Sequence, residues 1–405
     1  VCFIVLAWLA MVHLVAVYRL TGCPLEVGKI SDGCYLINGH LYNYGGWISL
    51  RHHNNALLTG GVHSFQDPVM LSPAHTPIVV ATRNTHVERI HWGSIAVVDA
   101  TGAPVVHVGD PDTYVFSRST LKPFQAIPLV RDGGHHQFGF STAELAIICG
   151  SHSGEDFHVI AVTRLLEKIS KSEPDLRCGC HLPIRYGEHN LPPFGSTFDQ
   201  RYNNCSGKHA GFLGYCSLHG YNQNYLDPDH PLQVNIREEV AMLANLPKNQ
   251  LWSGIDGCSA PNYGMPLSRL ALLWARLATS ESGIDRDHDN ALSSIASAMV
   301  CHPEMVSGTG RCDQAIALAS DGDCIAKVGA DGVYTIGIRS RGLGIAIKIA
   351  DGNLGALYTT AVNVLVQLGL IDEHKLLTPW VEPTVVSMAG ECVGKLQTRL
   401  KLPNL

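Results

Sequence analysis

Arg118-Ser119-Thr120-Leu121-Lys122-Pro123-Phe124-Gln125-Ala126-Ile127-Pro128-Leu129 opens the helical part of a chain that reads as strands before and after it. Upstream, residues 78–81 and 95–99 are apolar and β-branched, and a Thr101-Gly102 turn leads into 105–108, the pattern of antiparallel strands and a hairpin. From Ser119 to about Met299 the apolar period becomes helical. It predicts helices over 120–130, 142–148, 156–169, 208–218, 231–246, 266–278 and 287–299. Strands return at 333–338 and 343–349 around Arg339-Ser340-Arg341-Gly342, Asp351-Gly352 closes that hairpin, and a long apolar helix follows over 354–370. This order predicts an α+β fold in which N- and C-terminal strands build one antiparallel sheet beside an inserted helical region. The cleft is expected between sheet and helices.

Ser119 and Lys122 stand one helical turn apart. In a closed cleft, desolvation disfavours the ammonium form, so Lys122 can take the serine proton while the helix N-terminus favours developing negative charge. The same tetrapeptide also reads as a helix cap followed by a surface lysine. Two further segments carry the right chemistry. Cys149-Gly150-Ser151-His152-Ser153-Gly154-Glu155 places small hydroxyl residues on a tight loop, and Lys327-Val328-Gly329-Ala330 sets a lysine beside a glycine just before the terminal hairpin. In chain order these follow the Ser-x-x-Lys, Ser-x-Asn, Lys-Thr-Gly layout of serine beta-lactamases and penicillin-binding proteins.

The 405 residues are 46% apolar and 16% charged, which excludes a disordered chain. Lys+Arg total 29 against Asp+Glu 35, a net charge of -6 that offers no basic footprint for nucleic acid. The 40 glycines and 21 prolines follow no repeat. Thirteen cysteines, an odd count over a long chain, point to reduced thiols and a reducing compartment rather than a disulfide framework. Cys205 and Cys258 each lie in a glycine-containing turn and could together bind zinc, although any single cysteine is by default a buried free thiol. Cys178-Gly179-Cys180 is too tight for a zinc half-site and reads as a loop, and His52-His53 and His135-His136 read as solvated loop histidines. Residues 1–20 are apolar except for His13 and Arg19 and are long enough to span a bilayer, whereas 21–74 show no sustained period. The expectation is a cytoplasmic protein with an extra segment over 1–74, either a membrane span or an artefact of the gene model, before a catalytic domain over 75–400.

Six segments in order carry a resemblance: 118–123, 149–155, 203–211, 256–261, 308–311 and 327–330. Together they resemble the class 3, rhizobial-type L-asparaginases of the asparaginase II family. The likeness runs from about Thr76 to about Lys395, where 386–396 resembles the family's last strand. It implies a fold related to serine beta-lactamases and glutaminases, with two Ser-Lys tandems, Ser119 with Lys122 and Ser151 with Lys327. It also implies zinc on Cys205, Lys208 and Cys258 with a water, Lys208 being a neutral ligand, and places Arg118, His209 and Asp256 along the pocket as substrate-binding or supporting groups. A homodimer and L-asparagine as substrate are the remaining implications. Two features depart from the pattern: Cys312 stands where an aromatic is expected, and 1–74 has no counterpart. The expected reaction is hydrolysis of L-asparagine to L-aspartate and ammonia through an acyl-enzyme on Ser119. The competing readings are a beta-lactamase-like serine acylase or peptidase on another amide, marked by acylation with a penicillin-type probe, and a non-catalytic zinc-stabilised binding protein, marked by ligand binding without hydrolysis.

Overall fold

Short β-rich runs near the start of the chain pair only with their neighbours. The computed structural model describes residues 74–186, 190–371 and 375–403, together with the backbone of four short strands between 27 and 49. These are β1 (Val27–Ser31), β2 (Cys34–Ile37), β3 (His40–Asn43) and β4 (Gly46–Ser49), an antiparallel meander. They lie in the stretch 21–74, where the sequence shows no sustained period. Runs of four or five residues are too short to display a period, but Asp32-Gly33 and Asn38-Gly39, which stand between them in the sequence, are two-residue hairpin signals. The expected bilayer-spanning stretch 1–20 and His52-His53 lie outside the described residues. Among the described residues no helix is long and apolar enough to cross a membrane.

Residues 73–190 with 200–405 form a second compact unit, which holds the rest of the fold. Its large sheet takes β5 (Thr76–Arg83), β6 (His86–Asp99) and β7 (Pro104–Val108) from the early segment. From the late segment it takes β11 (Cys324–Gly329), β12 (Val333–Ile338), β13 (Leu343–Ile349), β14 (Thr384–Val386) and β15 (Cys392–Thr398). The order is β11-β12-β13-β6-β5-β15-β14, with β7 on β6, and every pair is antiparallel. The α+β fold expected from the sequence is the one observed. Opposite β6, Ile347 faces Ile95 and Ile345 faces Val97, so the early and late strands interlock through β-branched pairs.

Both faces of the sheet are covered. Ala96, Val98 and Ala346 pack in one cluster with Leu270 and Trp274 of the helix Leu267–Thr279. Ile95, Val97, Ile345 and Ile347 pack in another with Leu357 and Val364 of the helix Leu354–Gln367. Alternate residues of one strand therefore feed two cores. Close approach of the first helix depends on Gly344, where a Cβ would overlap the Ala271 carbonyl oxygen and the Ala275 nitrogen. Gly344→Ala is expected to cost about 1–3 kcal/mol through overpacking, read as a lower urea midpoint at unchanged slope.

Three expectations change here. The single helix over 120–130 is a 3-10 turn Arg118–Leu121 followed by two short helices, Lys122–Gln125 and Ile127–Arg131, each with a proline in its first turn. Pro123 and Pro128 lack the N–H that would continue the preceding ladder, so each restarts it. The helical region is also interrupted by a small sheet of β8 (Tyr114–Phe116), β10 (Pro261–Pro266) and β9 (Trp252–Ile255), in that spatial order. At the far end, the expected last strand over 386–396 is a hairpin of β14 and β15.

Candidate active site

The Ser119 turn hangs from β10. Ser117 donates from both N and Oγ to the Tyr263 carbonyl, at 3.0 and 2.7 Å, and Thr120 Oγ1 donates back to the Ser117 carbonyl at 2.6 Å. Between them Arg118 takes a left-handed φ of 51°, which costs a non-glycine residue of order 1–2 kcal/mol. The Asn262 side chain holds it there, with Oδ1 accepting from Arg118 N and Nδ2 donating to Arg118 O, each at 3.1 Å. The end of β11 presses on the same turn at Gly329, where a Cβ would crowd Thr120 and the Ser117 carbonyl. Lys327 lies on the strand that makes this contact, two residues before Gly329.

Ser151 lies just beyond the helix Thr142–Ile148, whose start is set by a Ser141–Glu144 capping box. Its peptide is pinned on both sides: Ser151 N donates to Val306 O at 2.7 Å, and Arg311 donates to Ser151 O at 2.7 Å. Its hydroxyl bridges two lysines. Lys122 Nζ is 2.9 Å and Lys327 Nζ 2.8 Å from Ser151 Oγ. Lys122 Nζ also reaches the carbonyls of Gly150 (2.6 Å) and Asn204 (3.0 Å), and Lys327 Nζ that of Val328 (2.7 Å). Burial lowers the pKa of Lys122, with Lys208 acting in the same sense and the Cys205 sulfur against it. Burial together with the neighbouring Lys122 holds Lys327 well below the usual range. A neutral Lys122 that donates to two carbonyls keeps one lone pair for the Ser151 hydroxyl, and Ser151 Oγ then accepts from Lys327. The sequence paired Lys122 with Ser119. In the structure Lys122 bonds Ser151 instead, and among the described residues Ser119 Oγ has no hydrogen bond to it.

Next to Lys122 lies a knot of sulfur. Lys208 Nζ is 3.0 Å from Cys258 Sγ, and the Cys205 thiol donates to the same sulfur. That bond holds Cys258 as a thiolate, its pKa far below the thiol range, and pushes Cys205 well up as its partner. Burial works against charge on Lys208, but Cys258, Cys205 and Asp256 together push its pKa up. These neighbours favour the charged form of Lys208, whereas the neutral Lys208 of the sequence reading is that of a zinc ligand. His209, lowered by burial, bonds Tyr225 OH at 3.0 Å through Nδ1. Its Nε2 lies beside Cys258 Sγ without a hydrogen-bond partner. Among the described residues no three His, Cys, Asp or Glu side chains converge as a metal group. Two thiols, the Lys208 amine and an orphaned imidazole nitrogen nonetheless form a soft, buried donor set that fits zinc, with Lys208 as the ligand completing the cysteine pair.

Asp256 closes on Arg118 from below. Its Oδ1 accepts from Arg118 Nε and NH2, each at 2.9 Å, and from Gly257 N at 2.9 Å. Ten sequence-predicted residues are thereby accounted for: the four Ser-Lys residues and the Cys205-Lys208-Cys258 set share a wall, Arg118 and Asp256 form a pair at its rim, and His209 belongs to the sulfur side. Sequence reading gave no role to Asn262, Asn204, Arg311 or Asp331, although Asn204 and Arg311 fall within the segments 203–211 and 308–311 that carry the resemblance.

Residues 79–398 match the family model of L-asparaginase II. The chain belongs to that family. That membership supports an asparaginase-type amidohydrolase as its chemistry class. No curated protein matches the sequence. Among solved structures, the chain is similar to Mglu in its native form, with 16% identity, 70% of this chain and 66% of that one covered, and a TM-score of 0.40. It is also similar to a putative beta-lactamase from Bacteroides dorei (13% identity, 68% and 93% covered, TM-score 0.36). A beta-lactamase from Mycobacterium bovis shows 11% identity, 68% and 94% coverage, and a TM-score of 0.29.

Proposed function

We propose that this chain hydrolyses L-asparagine to L-aspartate and ammonia by acyl transfer to Ser119. The observation that carries this is the Ser151 hydroxyl held between two buried lysine amines, one of them a single turn from Ser119. All four side chains are buried, and Ser119 is the least so, at 8% exposed against 3% for Ser151. Its Oγ attacks the side-chain carboxamide carbon, and the proton passes to Lys122 Nζ. As the C–N bond breaks, Ser151 Oγ delivers a proton to the departing ammonia and takes in its place the proton that Lys122 Nζ gained in the attack, while Lys327 Nζ donates a hydrogen bond to Ser151 Oγ and holds it in line. Water then hydrolyses the Ser119 ester by the reverse transfers. Arg118, paired to Asp256, faces the substrate carboxylate.

A second reading makes Ser151 the nucleophile, favoured by its direct bonds to both amines. Ammonia release from L-asparagine against L-glutamine tests the reaction, and mass mapping of the trapped acyl group to Ser119 or Ser151 separates the two assignments. No ammonia from either amide, together with acylation by a penicillin-type probe, would replace the asparaginase reading by the serine-acylase one. Because burial and the neighbouring Lys122 hold Lys327 well below the ordinary lysine range, kcat/KM is expected to fall on acidification with its midpoint below that range, as the amine takes a proton. A profile rising only above about pH 10, as for an unperturbed lysine, would contradict this.

Zinc held by Cys205, Lys208 and Cys258 would supply a fixed positive charge to the pocket wall. Binding would require Lys208 to surrender its proton, so zinc uptake at neutral pH is expected to release protons. Elemental analysis is expected to find about one zinc per chain, lost in Cys258→Ser, with a lower Tm for the wild type after chelation. A homodimer in a reducing, cytoplasmic compartment, its catalytic unit over 75–400, completes the proposal. Among the described residues, Cys149, Cys178, Cys205, Cys216 and Cys258 are free thiols.

A further inference from the structure

Arg118 carries more anionic charge than it can neutralise. Besides Asp256, its NH1 meets the carboxylate of Asp331, on the turn between β11 and β12. The two acids differ in freedom. Asp256 is 8% exposed and fastened by two Arg118 nitrogens and a backbone N–H, whereas the Asp331 side chain is 72% exposed and touches Arg118 through one nitrogen. Lys348 holds the turn by its main chain, donating to the Asp331 carbonyl, so the carboxylate can move without the loop. The turn itself stands over the nucleophile, because β11 packs onto residues 117–120 at Gly329.

An amino-acid amide presents a carboxylate and an ammonium on one carbon. Arg118 is placed for the first, but in this structure one of its nitrogens is already taken. We infer that Asp331 is the specificity residue for the α-ammonium: without substrate it covers the face of Arg118 that the α-carboxylate needs, and on binding it changes partner to the ammonium. The bound state alternates in sign, Asp256, Arg118, substrate carboxylate, substrate ammonium, Asp331, with no charge left unpaired. An acid lacking the amino group has to displace Asp331 and gives it nothing in return. This rests on the amino-acid amide reading above and adds its discrimination between α-amino acids and simple dicarboxylic half-amides.

The test is calorimetry on the full chain with L-aspartate and succinate, a pair differing only in the amino group. Asp331 has a φ of 55°, a left-handed conformation that asparagine tolerates, so Asp331→Asn removes the charge without disturbing the turn. The variant is expected to lose roughly tenfold or more in affinity for L-aspartate, the worth of one charge-assisted hydrogen bond, while binding succinate as well as or better than wild type. Equal shifts for both ligands, no shift for either, or a wild type that binds neither would overturn the inference. Ammonia release from L-asparagine by the wild type judges the hydrolysis reading separately, since the binding comparison needs no turnover.

Discussion

Ser119→Ala is expected to lower ammonia release from L-asparagine by roughly 10⁴-fold or more, the scale on which serine hydrolases lose turnover without their nucleophile. Little else in the structure depends on that hydroxyl. Its turn is held by Ser117, Thr120 and Asn262, so the variant is expected to melt with the wild type and to retain affinity for L-aspartate. A steady-state assay coupled to ammonia detection reads the loss. If Ser119→Ala kept full activity while Ser151→Ala lost it, the roles of the two serines would be exchanged.

Lys122→Arg is expected to cost roughly 10²–10⁴ in kcat, the usual contribution of a general base. The change keeps a hydrogen-bond donor of similar reach but puts a group that stays protonated in proteins where a neutral amine stood. The distinction matters because Lys122 does two jobs: it holds the Gly150 and Asn204 carbonyls and it offers a lone pair. Arginine can satisfy carbonyls. It cannot take a proton. An arginine variant that matched wild-type turnover would show that the amine acts only as a tether, and Lys122→Met would then separate tether from charge through its Tm.

Much of the sheet was legible because β12 and β13 are mostly apolar runs, broken by Thr335 and Lys348 and by single glycines, whose ends coincide with turn residues. The strands over 333–338 and 343–349 are those observed. β9 and β10 were not legible: Pro261-Asn262-Tyr263-Gly264-Met265-Pro266 has prolines at both ends and a glycine inside, which argue against a strand until β8 and β9 flank it. The site was readable as residues but not as partners. Ser119 and Lys122 are neighbours on any helix, yet the bond that forms is between Lys122 and Ser151, set by where the Gly150 and Asn204 carbonyls draw the amine. The charge of Lys208 was likewise beyond sequence reading, because it depends on a thiolate 50 positions away.

Lys327 meets Ser151 across 176 positions, and β15 pairs with β5 across a larger interval still. A nascent chain emerging from the ribosome therefore carries its future nucleophile and Lys122 long before it owns Lys327, the second amine of the site. Loops of such size close slowly. During synthesis the exposed edge of β5 must wait for its neighbour, which makes chaperone protection of that edge a requirement of the topology and keeps the growing polypeptide inert toward cellular amides until β11 arrives.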